Sequence, residues 1–189
     1  MARTADHPQT RVPISRFIIL SGCSGGGKST LLDELARRGH ATVPEPGRRV
    51  VREETGSGGT ALPWADVHAF VARIIAMAET DYAAAANPGW TFFDRGLFDA
   101  ISGLGALNGT PLPAERLAAY PYHRQVFLTP PWPELYATDS ERRHHMTHAV
   151  AEFERLLRDY PAQGYEVVLV PQLPVGERAD FVERTLREH

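Results

Sequence analysis

Eight consecutive residues, Gly22-Cys23-Ser24-Gly25-Gly26-Gly27-Lys28-Ser29, match the spacing G-x-x-x-x-G-K-[ST] without a mismatch. The chemistry of this pattern is anion binding. Glycines admit positive φ angles and close approach of the backbone, so successive N–H groups can turn inward around the β- and γ-phosphates of a nucleotide. Lys28 adds a point charge on those phosphates, and Ser29 offers a hydroxyl to Mg²⁺. A helix starting near Lys28 aims its positive end at the same anions. Gly22, Gly25, Gly26, Gly27, Lys28, Ser29 and Thr30 are therefore the candidate nucleotide-binding residues, with Lys28 expected to stand exposed at the loop. A merely flexible Gly/Ser turn would require neither a strand before it nor a helix after it. Here the apolar run Phe17 to Leu20 precedes the loop, and Leu31, Leu32 and Leu35 follow at helical spacing.

A second chemical cluster lies downstream. Trp90 to Phe93 reads as an apolar strand that ends in Asp94-Arg95-Gly96. An acidic residue at the end of such a strand is where proteins with this phosphate loop place the carboxylate that holds Mg²⁺ or contacts an acceptor. Ser29 and Asp94 are the candidate metal ligands on this reading, and the competing reading makes Asp94 a helix N-cap. The segment Pro44-Glu45-Pro46-Gly47-Arg48-Arg49 follows a short strand, Ala41 to Val43. Successive parallel strands put their carboxyl ends together, so this segment reaches the same sheet edge as the phosphate loop.

The elements that must position these groups alternate regularly. The first strand spans Arg16 to Ser21 and the first helix about Lys28 to Arg38, stopped by Gly39. A second helix is expected over Arg48 to Glu54, then a glycine-rich mobile loop over Thr55 to Leu62. A long helix from about Trp64 to Ala86 carries Val67, Phe70, Val71, Ile74, Ile75 and Ala78 at helical spacing. Helices over Leu97 to Leu107 and Ala114 to Tyr120 precede a fourth strand, Gln125 to Thr129. Pro130-Pro131-Trp132-Pro133 forces an extended exit from it. Thr138 to Glu141 reads as a capping box opening a charged helix to about Tyr160. A fifth strand over Tyr165 to Val170 and a closing helix over Glu177 to Glu188 follow. Five strands alternating with helices predict a three-layer α/β sandwich with a five-stranded parallel sheet, built as one domain over 16–189 behind a disordered tail at 1–15.

Bulk properties narrow the function. Among 189 residues, 43% hydrophobic and 23% charged are globular proportions that exclude a disordered or fibrous chain. A net charge of −3 argues against general nucleic-acid binding. The single cysteine, Cys23, excludes an internal disulfide framework and suits a reducing compartment. No apolar run approaches the ~20 residues needed to span a membrane. The polar first eleven residues hold no signal-peptide core, so a cytoplasmic location is expected.

The set GCSGGGKST, PEPGRRVVRE, WTFFDRG, LTPPW and TDSERR, taken with its order, resembles a family of small bacterial predicted ATPases with a stand-alone AAA-type domain. That family is similar in turn to P-loop nucleoside and nucleotide kinases, and the likeness covers the chain from about Arg16. It implies ATP and Mg²⁺ as cofactors. It also implies catalytic roles for Lys28, Asp94 and Arg95, with Asp94 near Mg²⁺ and the acceptor hydroxyl and Arg95 beside a transferred or acceptor phosphate. Glu45, Arg48 and Arg49 fall where such kinases contact the acceptor, and Arg142 and Arg143 where they carry a mobile lid. The segment from about Pro133 to Thr147 is expected to order only when ligands bind. No Asn-Lys-x-Asp guanine signature occurs, which favours ATP over GTP. His144 and His148 lie one helical turn apart but lack the glutamate or third ligand of a zinc site. Two functions fit: a phosphotransferase acting on a small-molecule acceptor, or an ATP-hydrolysing switch that signals to a protein partner. Arg95 stands where switch ATPases usually keep a water-polarising glutamate, which favours transfer.

Overall fold

The computed structural model describes residues 15–85, 88–132 and 140–188, with the backbone alone described for 140–146. Five strands form one sheet: β1 (Phe17–Gly22), β2 (Ala41–Val43), β3 (Thr91–Asp94), β4 (Gln125–Thr129) and β5 (Glu166–Leu169). They run parallel in the order β2-β3-β1-β4-β5. Central β1 is buried from Ile18 onward, as a strand covered on both faces must be. Its side chains divide by the period of two. Ile18 and Leu20 join Phe92 and Phe127 on one face, against Leu31, Leu32 and Leu35 of α1 (Lys28–Arg37) and Ala179, Val182 and Leu186 of α7 (Val175–Arg187). Ile19 joins Phe93, Val126 and Leu128 on the other face. There they meet Ile75 of α3 (Val67–Ala84), Leu97, Phe98 and Ile101 of α4 (Leu97–Asn108), and Leu156 and Tyr160 of α6 (Ser140–Ala162). The result is the three-layer sandwich expected from the alternation.

Register brings the chemical residues together. Leu20 of β1 pairs with Asp94 of β3, and Gly22 pairs with Thr129 of β4, so the phosphate loop, Asp94 and the end of β4 share one edge. α2 (Pro46–Ser57) springs from the same edge just after β2. It starts two residues earlier than expected because Pro46, with φ already fixed, occupies its first turn. It also runs past Glu54 to Ser57 and stops at Gly58 in the left-handed region (φ 71°), so the expected glycine-rich loop is shorter. α3 begins at Val67, where the Asp66 carboxylate accepts from the Ala69 N–H at 2.9 Å. Short α5 (Ala114–Ala118) precedes β4. The tail at 1–14, the capping residues Thr138 and Asp139, and the side chains of Arg142, Arg143, His144 and His145 lie outside the described residues. Among the described residues, no helix is long and apolar enough to cross a membrane.

A buried polar pin ties the α4–α6 layer to the sheet. The Asp99 carboxylate accepts from the Gly96 N–H at 2.8 Å, from the Tyr160 hydroxyl at 2.8 Å and from the Ser21 hydroxyl at the end of β1. Tyr160, fully buried, also stacks on Phe98 with centroids 4.0 Å apart. Tyr160→Phe keeps the ring packing and deletes one donor to a buried charge, so urea unfolding should show a loss of about 1–3 kcal/mol. Unchanged stability would mean that Asp99 needs only its other two donors.

Candidate active site

The phosphate loop is shaped as its glycines allow. Gly22, Gly25 and Gly27 all have positive φ, at 118°, 77° and 75°. At Gly26 a Cβ would come within 2.6 Å of the Thr129 hydroxyl, so any side chain there would push the loop off β4. Gly27 is the N-cap of α1, which has no side-chain cap and no acidic residue in its first turn. Its leading N–H groups and dipole therefore face the loop uncompensated, which is the fit that a phosphate requires. Ser24, Gly25 and Thr30 are exposed, whereas Lys28 is not. The expectation of an exposed lysine is corrected: Lys28 is 6% exposed, and its ammonium folds back to donate to the carbonyls of Cys23 (2.6 Å) and Gly22 (3.3 Å). Burial, with the Arg95 charge adding to it, pulls the Lys28 pKa below its ordinary value. Cys23 beside it is fully buried, and burial raises its thiol pKa, the opposite of a reactive cysteine.

Asp94 is the last residue of β3 and 2% exposed. The Ser29 hydroxyl donates to its Oδ2 at 3.1 Å, while its Oδ1 is buried without a hydrogen-bond partner among the described residues. The helix that follows is capped by Gly96 rather than Asp94, so the N-cap reading of Asp94 finds no support in the geometry. A buried carboxylate oxygen left unpaired beside a serine hydroxyl supplies the hard oxygen donors that Mg²⁺ takes. Burial pushes the Asp94 pKa up against the pull of Lys28, and Glu45 adds to the rise.

Arg95, with φ 65°, is the one non-glycine residue among those described that has positive φ. Carboxylates from three other elements surround its guanidinium. Glu152 of α6 accepts from Nη1 at 2.7 Å and from Nη2 at 3.2 Å, Glu45 lies 3.4 Å from Nε, and Asp99 of α4 lies 3.9 Å from Nη1. Burial opposes the charge on Arg95, but Glu152, Asp99 and Glu45 outweigh it and raise its pKa. Burial likewise opposes ionisation of Glu152, and Arg95 reverses that to leave its pKa below the ordinary value.

Arg95 and the carboxylates around it wall a cavity of about 490 Å³ that Lys28 and Ser24 of the phosphate loop also line, whereas Ser29 and Asp94 are not part of its lining. Glu45, Arg48, Arg95, Asp99, Glu152 and Arg155 supply its polar lining, and Val51, Phe70, Val71 and Ile74 its apolar wall. Arg48 stands at the rim, its Nε 2.9 Å from Glu45. Arg49 does not line the cavity. The next position along the helix turns it about 100° away, and its Nη1 donates to Asp81 of α3 at 2.6 Å. Arg49 is thus turned away from the cavity, not beside an acceptor as expected. Sequence reasoning missed Asp99, Glu152, Arg155 and Arg178. Asp99 follows Arg95 by four residues and was readable as its helical neighbour, whereas no local pattern marks Glu152 or Arg155. Arg178 of α7 is 6% exposed, donates to the Gly27 carbonyl at 3.1 Å and lies over the Trp132 ring.

The AAA domain family matches this sequence over residues 17–178, most of its length. The chain belongs to that family. No curated protein matches the sequence. Among solved structures, this AAA domain is similar to deoxyadenosine kinase from M. mycoides with bound dATP, at 15% identity and a TM-score of 0.62 over 90% of this chain and 98% of that one. It is also similar to thymidylate kinase from Ehrlichia chaffeensis (18% identity, TM-score 0.58, 93% of this chain and 100% of that one). Shikimate kinase from Acinetobacter baumannii in complex with shikimate is comparably similar (16%, 0.58, 95% of each chain). At these identities the likeness is one of fold: the AAA domain has the kinase-like P-loop fold.

The raised pKa of Asp94 has a consequence for the ligand-free AAA domain. Between the ordinary aspartate value and the raised one, the folded state holds a proton that the unfolded state has lost, so stability falls as pH rises through that window. Asp94→Asn removes this penalty. Unfolding in urea without nucleotide should show the variant gaining on the wild type as pH rises from about 4. A variant less stable than wild type at neutral pH would contradict this.

Proposed function

We propose that the protein is an ATP- and Mg²⁺-dependent phosphotransferase acting on a small hydroxylated acceptor. The observation that carries this reading is continuity: the cavity walled by Glu45 and the Arg95–Glu152 pair is also lined by Lys28 and Ser24 of the phosphate loop. A hydrolase needs room for water, whereas 490 Å³ with an apolar wall is within the usual range for binding a metabolite. Residues Gly22 to Thr30 would hold the triphosphate, and Ser29 with Asp94 would hold Mg²⁺. Mg²⁺, when bound, supplies neutralisation of charge on the phosphate oxygens. Lys28, released from the carbonyls of Gly22 and Cys23, turns its charge to the γ-phosphate. Glu45, at the N-terminus of α2 and facing the cavity, accepts the proton of the acceptor hydroxyl. Arg95 keeps Glu45 and Glu152 in place, so the polar wall is set before the acceptor arrives. Arg142 and Arg143 of α6 are proposed to close over the transferring group.

Two measurements test this. Calorimetry of Lys28→Ala should show ATP affinity weaker by roughly 2–4 kcal/mol in a folded protein, the worth of a charge-assisted contact to phosphate. An acceptor screen scored by ADP formation should find at least one metabolite that stimulates the wild type. With that acceptor Asp94→Asn should be slower by about 10²–10⁴-fold, while ATP affinity changes far less. Stimulation by a protein partner, with no metabolite active, would replace transfer by a switch.

A further inference from the structure

We infer that the acceptor carries no phosphate of its own: it is an uncharged hydroxyl compound with an apolar, ring-sized body. This rests on the phosphotransferase reading and narrows its substrate class. The observation is the pairing of cations inside the cavity. Apart from Lys28, which belongs to the phosphate loop, the described residues lining it offer three guanidiniums, and each has a carboxylate within 4 Å, although the Arg95 Nε, 3.4 Å from Glu45, makes no hydrogen bond among the described residues. Arg95 is held by both oxygens of Glu152, with Glu45 and Asp99 close by. Arg48 pairs with Glu45 at 2.9 Å. Arg155 donates to the Ser102 hydroxyl and lies 3.8 Å from Asp159. Four carboxylates therefore answer three guanidiniums. A phosphomonoester, close to a dianion at neutral pH, would have to displace Glu152 from Arg95 and then sit beside Glu45 and Asp99, with like charges facing each other in a half-enclosed space.

An uncharged acceptor meets none of this. Its hydroxyl can donate to Glu45 without breaking the Arg95–Glu152 pair, so the wall stays as built. Its body is specified by the opposite side, where Phe70, Val71 and Ile74 of α3 and Val51 of α2 are only partly covered by protein. Covering that apolar surface favours a ring or similarly flat group over a small polyol. Glu152 is on this view a specificity-determining residue. It acts less by touching the acceptor than by occupying the guanidinium that a phosphate would otherwise take.

The test uses the full chain and matched pairs: the common ribo- and deoxynucleosides with their 5′-monophosphates, and hexoses with their 6-phosphates. ADP formation gives kcat/KM for each. Titration calorimetry, with the donor site saturated by a nonhydrolysable ATP analogue, gives binding without turnover. The expected result is that the unphosphorylated member of the active pair is preferred by at least about 10²-fold, since facing like charges cost several kcal/mol. Glu152→Gln should narrow that ratio by about tenfold or more, chiefly by improving the phosphorylated member. Preferential reaction or tighter binding of a monophosphate overturns the inference. So does a Glu152→Gln ratio equal to wild type, or no binding by either kind of compound. Tight binding of an unphosphorylated member without any ADP formation supports the inference about the cavity while removing the phosphotransferase reading.

Discussion

The ion cluster around Arg95 is the constraint on which the rest of the site depends. A guanidinium buried at the end of the central β3–β1 edge must be neutralised, and the chain does so with carboxylates from three other places: Glu45 before α2, Asp99 in α4 and Glu152 in α6. Elements far apart in sequence thereby converge on one atom group. The backbone of Arg95 takes a left-handed conformation that few non-glycine residues adopt, and it does so at the point where β3 hands over to α4. Asp99 extends the cluster into the core through Ser21 and Tyr160, so the cavity wall, the sheet edge and the α6 layer form one connected polar unit.

The phosphate loop contrasts with this. Its charged groups are held in arrangements that cost stability without a ligand: Lys28 is buried against loop carbonyls, and Asp94 is buried with one oxygen unpaired among the described residues. Both have pKa values displaced, chiefly by burial, in the direction that disfavours their charged forms. On the proposed function, a triphosphate with a divalent cation would satisfy both groups at once. Binding energy would then be held in the ligand-free fold as unsatisfied electrostatics, an exchange of stability for function. Arg178 of α7 steadies the loop from behind by its bond to the Gly27 carbonyl.

Much of this was legible in the chain. The phosphate loop, the five strands and Asp94 all follow from short-range signals, namely glycine spacing, apolar runs and a carboxylate at a strand end, because each depends on neighbours within a few residues. Glu45 was readable because parallel strands share an edge. What stayed hidden is what depends on packing. Glu152 is one of several acidic residues on a charged helix, and only the docking of α6 makes it the partner of Arg95. Arg48 and Arg49 are adjacent and chemically identical, yet their orientations on α2 send one to the cavity rim and the other to Asp81. Lys28 was misjudged as exposed because sequence says nothing about where a long side chain lies in the absence of its ligand.

Whether the cavity receives the group that the phosphate loop binds is best decided by following the phosphorus. The protein is incubated with γ-labelled ATP, Mg²⁺ and a bacterial small-molecule extract, and the label is then separated into organic phosphoesters and inorganic phosphate. Transfer predicts label in an organic phosphoester in step with ADP formation, abolished together with it by Lys28→Ala. Label released solely as inorganic phosphate, at the same rate with and without extract, would contradict the assignment of the cavity as an acceptor site.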